Sequence, residues 1–227
     1  MIIDGFDKLT LLDYPGHLAC IIFTRGCNFK CPYCQNSSLI RYDTKPSKYT
    51  EEEILEFLKS RKGKLEGIVI SGGEPTIQKG LKDFIKKVKD LGYKVKLDTN
   101  GSNPKVLKDL LDNKLIDYVA MDIKNDLDNY EIVTDTKVNI KAIKESIDIL
   151  SKTKIDHEFR TTIMKECHKI TNLKKILELV KNNKYYIQNF KVSDDVINKS
   201  LSSFTTEELK LIKEELLDHT NVILRDL

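Results

Sequence analysis

The feature that most constrains the fold is an alternation running through most of the chain. Short runs rich in Ile, Val, Phe and Tyr alternate with segments whose apolar residues recur at a helical period. The strand-like runs are residues 18–24, 67–71, 94–99, 118–124, 156–163, 185–191 and 221–225. Between them, Leu81, Phe84, Ile85 and Val88 share one helix face, as do Ile140, Ile143, Ile147 and Leu150. Thr50 with Glu53, and Thr205 with Glu208, have the spacing of capping boxes, and Pro104 suits a first helical turn. Repeated strand–helix units imply an α/β fold with parallel strands joined by right-handed crossovers. Six such units are too few to close an eight-stranded barrel.

A length of 227 residues suits a single domain, here 1–227, with 1–16 as an N-terminal extension and 192–227 as a C-terminal helix and a possible extra strand. Ten glycines and five prolines leave little room for long flexible linkers. A net charge of +3 gives no broad electrostatic grip on nucleic acid. Lys79, Lys82, Lys86, Lys87 and Lys89 have the spacing of a solvated helix face. No apolar run approaches a membrane span, and no signal-peptide pattern leads the chain, so a cytoplasmic protein is expected.

The chemistry concentrates in three cysteines, Cys27, Cys31 and Cys34, spaced C-x3-C-x2-C, with Tyr33 just before the third. Three thiolates this close can hold three irons of a four-iron cluster, and no fourth cysteine lies nearby to complete the set. One iron would then be open to an external ligand. Zinc held by the three cysteines and one further ligand is the alternative, although Cys20, Cys167, His17, His157, His168 and His219 supply no second pair. The odd count and tight spacing disfavour disulfides. Cys20, inside an apolar run, reads as a core residue, and Cys167 as a free loop thiol.

Two further motifs, Ser71-Gly-Gly-Glu-Pro75 and Asp98-Thr-Asn-Gly101, accompany the cysteine loop. Together the three resemble the radical S-adenosylmethionine (SAM) enzymes. The opening from Gly5 to Gly16, Thr24-Arg-Gly-Cys27 and Tyr33-Cys-Gln-Asn36 resemble the activating proteins of glycyl radical enzymes, most of all those serving anaerobic ribonucleotide reductase. The resemblance covers about residues 1–190. It implies a partial (β/α)6 TIM-like barrel open on one side, a [4Fe-4S] cluster and SAM. It also implies a glycyl radical enzyme as protein substrate, and flavodoxin or ferredoxin as electron donor. In such enzymes the reduced cluster cleaves SAM, and the resulting radical removes a hydrogen from a glycine Cα.

In barrels of this kind the site gathers at the C-terminal strand ends. Five successive strand-like runs end in the cysteine loop, Ser71–Glu74, Asp98–Asn100, Asp122 with Lys124, and Arg160–Thr162. By resemblance Cys27, Cys31 and Cys34 ligate the cluster, and Gly72, Gly73 and Glu74 receive the methionine amino group. Asp98, Thr99 and Asn100 lie near SAM, and Asp98, Thr99 and Asp122 hold a monovalent cation. Lys124 and Arg160 would meet the SAM carboxylate. Tyr33 would lie against the adenine or pack beside the cluster. Lys124 as an exposed strand-end residue, and Arg160 in an ion pair with Glu158 or Asp156, are the plainer readings. Gln35 stands where relatives often carry a histidine, and Gln188 or Asn189 are the only polar groups near a late SAM contact, which stays unassigned. No second cysteine-rich insert follows the core. A small-molecule radical SAM enzyme, such as a deazaguanine-forming synthase, and a zinc-stabilised binding protein are the rival readings.

Overall fold

The computed structural model describes residues 1–41, 43–216 and 221–225; His219 lies outside them. Eight strands form one sheet in sequence order: β1 (Ile3–Thr10), β2 (Ala19–Thr24), β3 (Gly67–Gly72), β4 (Lys94–Thr99), β5 (Tyr118–Asp122), β6 (Asp156–Ile163), β7 (Tyr185–Asn189) and β8 (Val222–Arg225). Strands β2 to β8 are parallel, and β1 runs antiparallel to β2. Among the described residues no ladder joins β8 to β1, so the sheet is open.

All seven strand-like runs form parallel strands, the last of them, β8, being the possible extra strand of the C-terminal segment, and an eighth strand, β1, is added at the edge. Strand β1 gives little signal in sequence. Only Ile3 and Thr10 of it are buried, and Asp4, Asp7 and Lys8 break any apolar run. Two other strands are shorter than expected: β5 stops at Asp122 and β7 at Asn189, where the chain turns into the site.

The crossovers carry α1 (Glu51–Ser60), α2 (Leu81–Asp90), α3 (Pro104–Asp112), the short α4 (Tyr130–Thr134), α5 (Ile140–Lys152), α6 (Ile170–Val180) and α7 (Thr206–Glu215). Thr50 and Thr205 both close capping boxes, with Glu53 and Glu208. The buried residues of α2 are Leu81, Phe84, Ile85 and Val88, while Lys82, Lys86, Lys87 and Lys89 pair with Asp109, Asp83, Glu51 and Asp117 outside. Among the described residues no helix is long and apolar enough to cross a membrane.

Successive strand residues face opposite sides, and the two sides differ. One face presents Cys20, Ile22, Ile68, Ile70, Val95, Leu97, Val119 and Met121 to the helices, in one large apolar core. The other buries a small cluster of Ala19, Ile21, Val69 and Tyr118 with Tyr14. Tyr14 meets His17 and Tyr118 edge-on, with ring centroids 4.9 and 6.0 Å apart. The segment after β1 is thereby fixed against the N-terminal strand ends, leaving the C-terminal ends for the site.

Candidate functional site

A cavity of about 330 Å3 opens at the C-terminal strand ends and is lined by Cys27, Cys31, Cys34, Tyr33, Gly72, Gly73, Glu74, Asp98, Thr99, Asn100, Asp122, Lys124 and Arg160. Every residue assigned to the site from sequence lies on this one wall.

The cysteine loop leaves β2 at Thr24. Arg25, buried just before it, is a latch that sequence reasoning missed: Nε lies 3.2 Å from Asp4, Nη1 pairs with Asp43, and Nη2 donates to the carbonyls of Lys45 and Pro46. The backbone carbonyl of Arg25 accepts from Gln78 Nε2 at 2.8 Å. Cys34 N donates to the Cys31 carbonyl at 3.1 Å, and Phe29 N reaches Cys27 Sγ at 3.4 Å. Burial pushes the Cys27 thiol up to about 12 and raises those of Cys31 and Cys34; the Lys124 charge opposes all three shifts. These thiols stay protonated at neutral pH until a metal displaces the proton.

The loop after β3 touches the cysteine loop backbone to backbone. Gly73 N donates to the Thr24 carbonyl and Glu74 N to the Gly26 carbonyl, each at 2.8 Å. A Cβ on Gly73 would stand 2.1 Å from the Gly26 oxygen, and Gly72 has φ of +118°. The Glu74 side chain serves a different end from the cofactor contact expected of it. It is fully buried, and its oxygens accept from Thr76 N (3.0 Å), Thr76 Oγ1 (2.5 Å), Thr99 Oγ1 (2.7 Å) and Asn100 N (2.7 Å). Burial raises its carboxyl, while those four bonds pull it back. Glu74 therefore ties the β3 loop to the β4 loop. Gly72 and Gly73 line the cavity with backbone alone.

The inner faces of β4, β5 and β6 carry a ladder of charges. Lys96 Nζ sits 2.5 Å from Asp98 Oδ1, and Ser71 Oγ donates to Asp98 Oδ2 at 3.2 Å. Arg160, beside Asp122 in the β5–β6 register, reaches Asp122 Oδ1 at 2.9 Å and Asp98 Oδ2 at 3.5 Å. Lys124 Nζ donates to Asp122 Oδ2 at 2.9 Å. Burial alone would raise both aspartates, but Lys96 and Arg160 hold Asp98 below the usual carboxylate range, and Arg160 and Lys124 hold Asp122 far below it. Arg160 is thus ion-paired inside the barrel, though not with Glu158 or Asp156. Glu158 instead accepts from Tyr118 (2.8 Å) and Arg225 (3.2 Å). Lys124 is mostly buried, contrary to its surface alternative.

Tyr33 packs under the cavity, with Lys124 Nζ 5.9 Å from its ring centre. Its hydroxyl lies against the Cys31 thiol without a well-formed hydrogen bond and is a buried, unsatisfied group. Asn100 braces the cysteine loop through Asn28 at 3.0 Å. Gln188 lines the cavity, whereas Asn189 is spent on the Phe204 backbone. Gln35 bonds the Lys191 carbonyl. Ser71 and Thr162, at the strand ends named from sequence, also line the cavity, as does Asp13, to which no site role was given. His168 is buried, takes Met164 N at its Nδ1 and lies 2.9 Å from the Lys124 carbonyl through Nε2, which must then be the protonated nitrogen. Cys20 is fully buried on the helix side of β2 and, unlike Cys27, Cys31 and Cys34, does not line the cavity.

The residues fit a [4Fe-4S] cluster and SAM. Three thiols line the cavity beside polar strand ends, and glycine at position 73 lets the β3 loop close against the Gly26 carbonyl of the cysteine loop.

Residues 21–180 match the radical SAM superfamily, and the chain belongs to that superfamily. Its cofactors are accordingly a [4Fe-4S] cluster and SAM. Among its relatives, a Methanocaldococcus jannaschii protein is 36% identical over 202 residues, spanning 85% of this chain and 81% of that protein. That relative carries a provisional name as a glycyl-radical enzyme activating enzyme. The 7-carboxy-7-deazaguanine synthase of Thermococcus kodakarensis is 30% identical over 152 residues, 58% of each chain. The fold is shared with the crystal structure of Streptococcus suis SuiB bound to S-adenosylmethionine, with a TM-score of 0.69 at 16% identity, covering 90% of this chain and 49% of SuiB.

Proposed function

We propose that the protein is an activase that uses SAM to install a glycyl radical on a partner enzyme, an anaerobic ribonucleotide reductase in the first instance. The observation that carries this reading is the match to the Methanocaldococcus relative along most of both chains. The deazaguanine synthase matches over a much smaller share, which makes turnover of a small heterocycle the second reading. The open sheet agrees with a bulky substrate, because a glycine loop can enter a cavity whose wall is incomplete. The proposal includes a single domain over 1–227, a flavodoxin or ferredoxin as electron donor, and a cytoplasmic, oxygen-poor setting.

When bound, the cluster and SAM together supply a reductively generated carbon radical able to remove a hydrogen atom. The chain's own residues do the rest. Cys27, Cys31 and Cys34 hold three irons and leave the fourth open. Gly72 and Gly73 offer carbonyls to the ligand amino group, and Lys124 and Arg160 offer charge-assisted bonds to its carboxylate. Tyr33, Phe23 and Phe29 put apolar surface along the cavity and keep water from the reacting centre. The test is electron paramagnetic resonance on the reduced, cluster-loaded protein mixed with SAM and an anaerobic ribonucleotide reductase. A glycyl radical doublet is expected on the partner. Formation of 5′-deoxyadenosine in proportion to an added small heterocycle, with no partner radical, would replace this reading with the second.

A further inference from the structure

The cavity carries its own cation. The resemblance drawn from sequence implies a monovalent metal ion between Asp98, Thr99 and Asp122, and the donor set here does not fit one. Asp98 Oδ1 faces Lys96 Nζ at 2.5 Å, and Asp98 Oδ2 faces Ser71 Oγ and Arg160. Asp122 Oδ1 is taken by Arg160 and Oδ2 by Lys124, both at 2.9 Å. Thr99 Oγ1 donates to Glu74 and accepts from Gly101 N. All four carboxylate oxygens already have a partner from the chain.

Lys96 is the unusual member of this set. It is 1% exposed, in the middle of β4, and its ammonium also lies 5.8 Å from the Tyr118 ring centre. An ammonium is buried this deeply only where a partner compensates its lost hydration. Its alternation with Asp98 places both on the inner face, one residue apart, so the pair is built into the strand itself. The ion pairs sharpen the point. Lys96, Lys124 and Arg160 pair with Asp98 and Asp122, one cation more than the carboxylates they touch, while Glu158 is matched by Arg225 and Glu74 is held by four neutral donors. A metal ion would double that excess in a buried site. A ligand carboxylate would cancel it.

We propose that the Lys96 ammonium stands in for a monovalent metal ion beside Asp98, so that this protein binds SAM without K+ or Na+, the surplus positive charge receiving the SAM carboxylate. Lys96 acts here as a positioning residue, through Asp98. The inference rests on the SAM cofactor of the superfamily and is independent of which substrate loses its hydrogen.

The experiment is a calorimetric titration of SAM into anaerobically reconstituted protein, in buffers whose only monovalent cation is tetramethylammonium, K+ or Na+. The expected result is one affinity in all three, and the same melting temperature for the cofactor-free chain in each. Lys96→Met should lose about tenfold or more in SAM affinity, about 1.4 kcal/mol, in tetramethylammonium alone, and K+ or Na+ should restore it. An increase in wild-type affinity or melting temperature on adding K+ or Na+ overturns the proposal, because a metal ion then binds despite Lys96. So does a Lys96→Met protein with wild-type affinity in every buffer. Should that variant fail to fold, the wild-type titration decides alone.

Discussion

The two faces of β4 are both buried at mid-strand and chemically opposite. Val95 and Leu97 face the helices with no exposed surface; Lys96 and Asp98 face the inside of the barrel, the lysine 1% exposed beneath the aspartate that lines the cavity. On the outer face stability follows the area and volume removed from water, and any apolar residue of the right size serves. On the inner face each group is tolerable only because a named partner meets it, so the effect of a change depends on what it leaves unpaired. The same contrast separates Cys20 from Cys27, Cys31 and Cys34.

The largest expected effect tests that cysteine contrast. Replacing Cys27, Cys31 or Cys34 by Ala should abolish SAM cleavage and strip the iron, measured as iron per chain and 5′-deoxyadenosine formed. Cys20→Ala should keep both. Iron loss in Cys20→Ala would erase the distinction between the core cysteine of β2 and the three cysteines of the loop that follows it.

Next is Glu74→Ala. It leaves four buried donors without their acceptor, at about 1–3 kcal/mol for each group left unsatisfied. Urea unfolding should show a loss of at least about 3 kcal/mol, comparable with the about 2–5 kcal/mol expected for Leu97→Ala on the outer face. Glu74→Gln should cost less, since one carbonyl oxygen remains. A near-neutral Glu74→Ala would show that the loop junction is held by backbone bonds alone.

Lys124→Ala comes third. The structure pairs Lys124 with Asp122, yet Asp122 keeps Arg160, so the fold should survive. Loss of a charge-assisted contact to the SAM carboxylate is worth about 1.5–3 kcal/mol, a roughly ten- to hundredfold weaker affinity. Lys124→Arg should rescue only in part, because the planar guanidinium does not reproduce a compact ammonium. Iron content should be unchanged; an unaltered SAM affinity would remove Lys124 from the ligand's reach.

The smallest effect is a pH dependence. Burial lowers the His168 pKa, against bonds from Lys124 and Met164 that partly restore it. The unfolded chain therefore binds a proton at higher pH than the folded one. Stability of the cofactor-free protein is full above about 6.5, the ordinary histidine value, and falls as pH drops from there toward the lower folded pKa. Asp98 and Asp122, held low, titrate in a separate and more acidic window. His168→Gln should flatten the slope near neutrality; an unchanged slope would assign it to other groups.

The outer face was legible in sequence because apolar periodicity is a local signal. The α2 core residues and both capping boxes follow from spacing alone. The site wall was legible because its residues sit at successive strand ends, and the parallel order carries them to one mouth. The partners of those residues were not. Glu74 meets Thr99 and Asn100 across 25 and 26 residues, and Arg160 meets Asp122 across 38. No local pattern encodes which strand lies beside which, or that β1 would add itself at the edge. Lys96 and His168 were given no role from sequence, and Arg25 stood only as part of a motif, until their burial was visible.

The contact between Gly73 and the Gly26 carbonyl has a consequence for how this protein can change over generations. At position 73 eighteen of the other nineteen amino acids bring a Cβ like alanine's, and proline brings one too, so every single-codon step away from glycine meets the same 2.1 Å collision. Position 72, at a φ of +118°, is almost as confined. A saturation library over this loop should return empty columns at these two positions while Ser71 and Thr162, on the same wall, admit substitutes. Diversification of the cavity is thereby steered to its rim, and the junction that joins the two loops stays out of reach of gradual substitution.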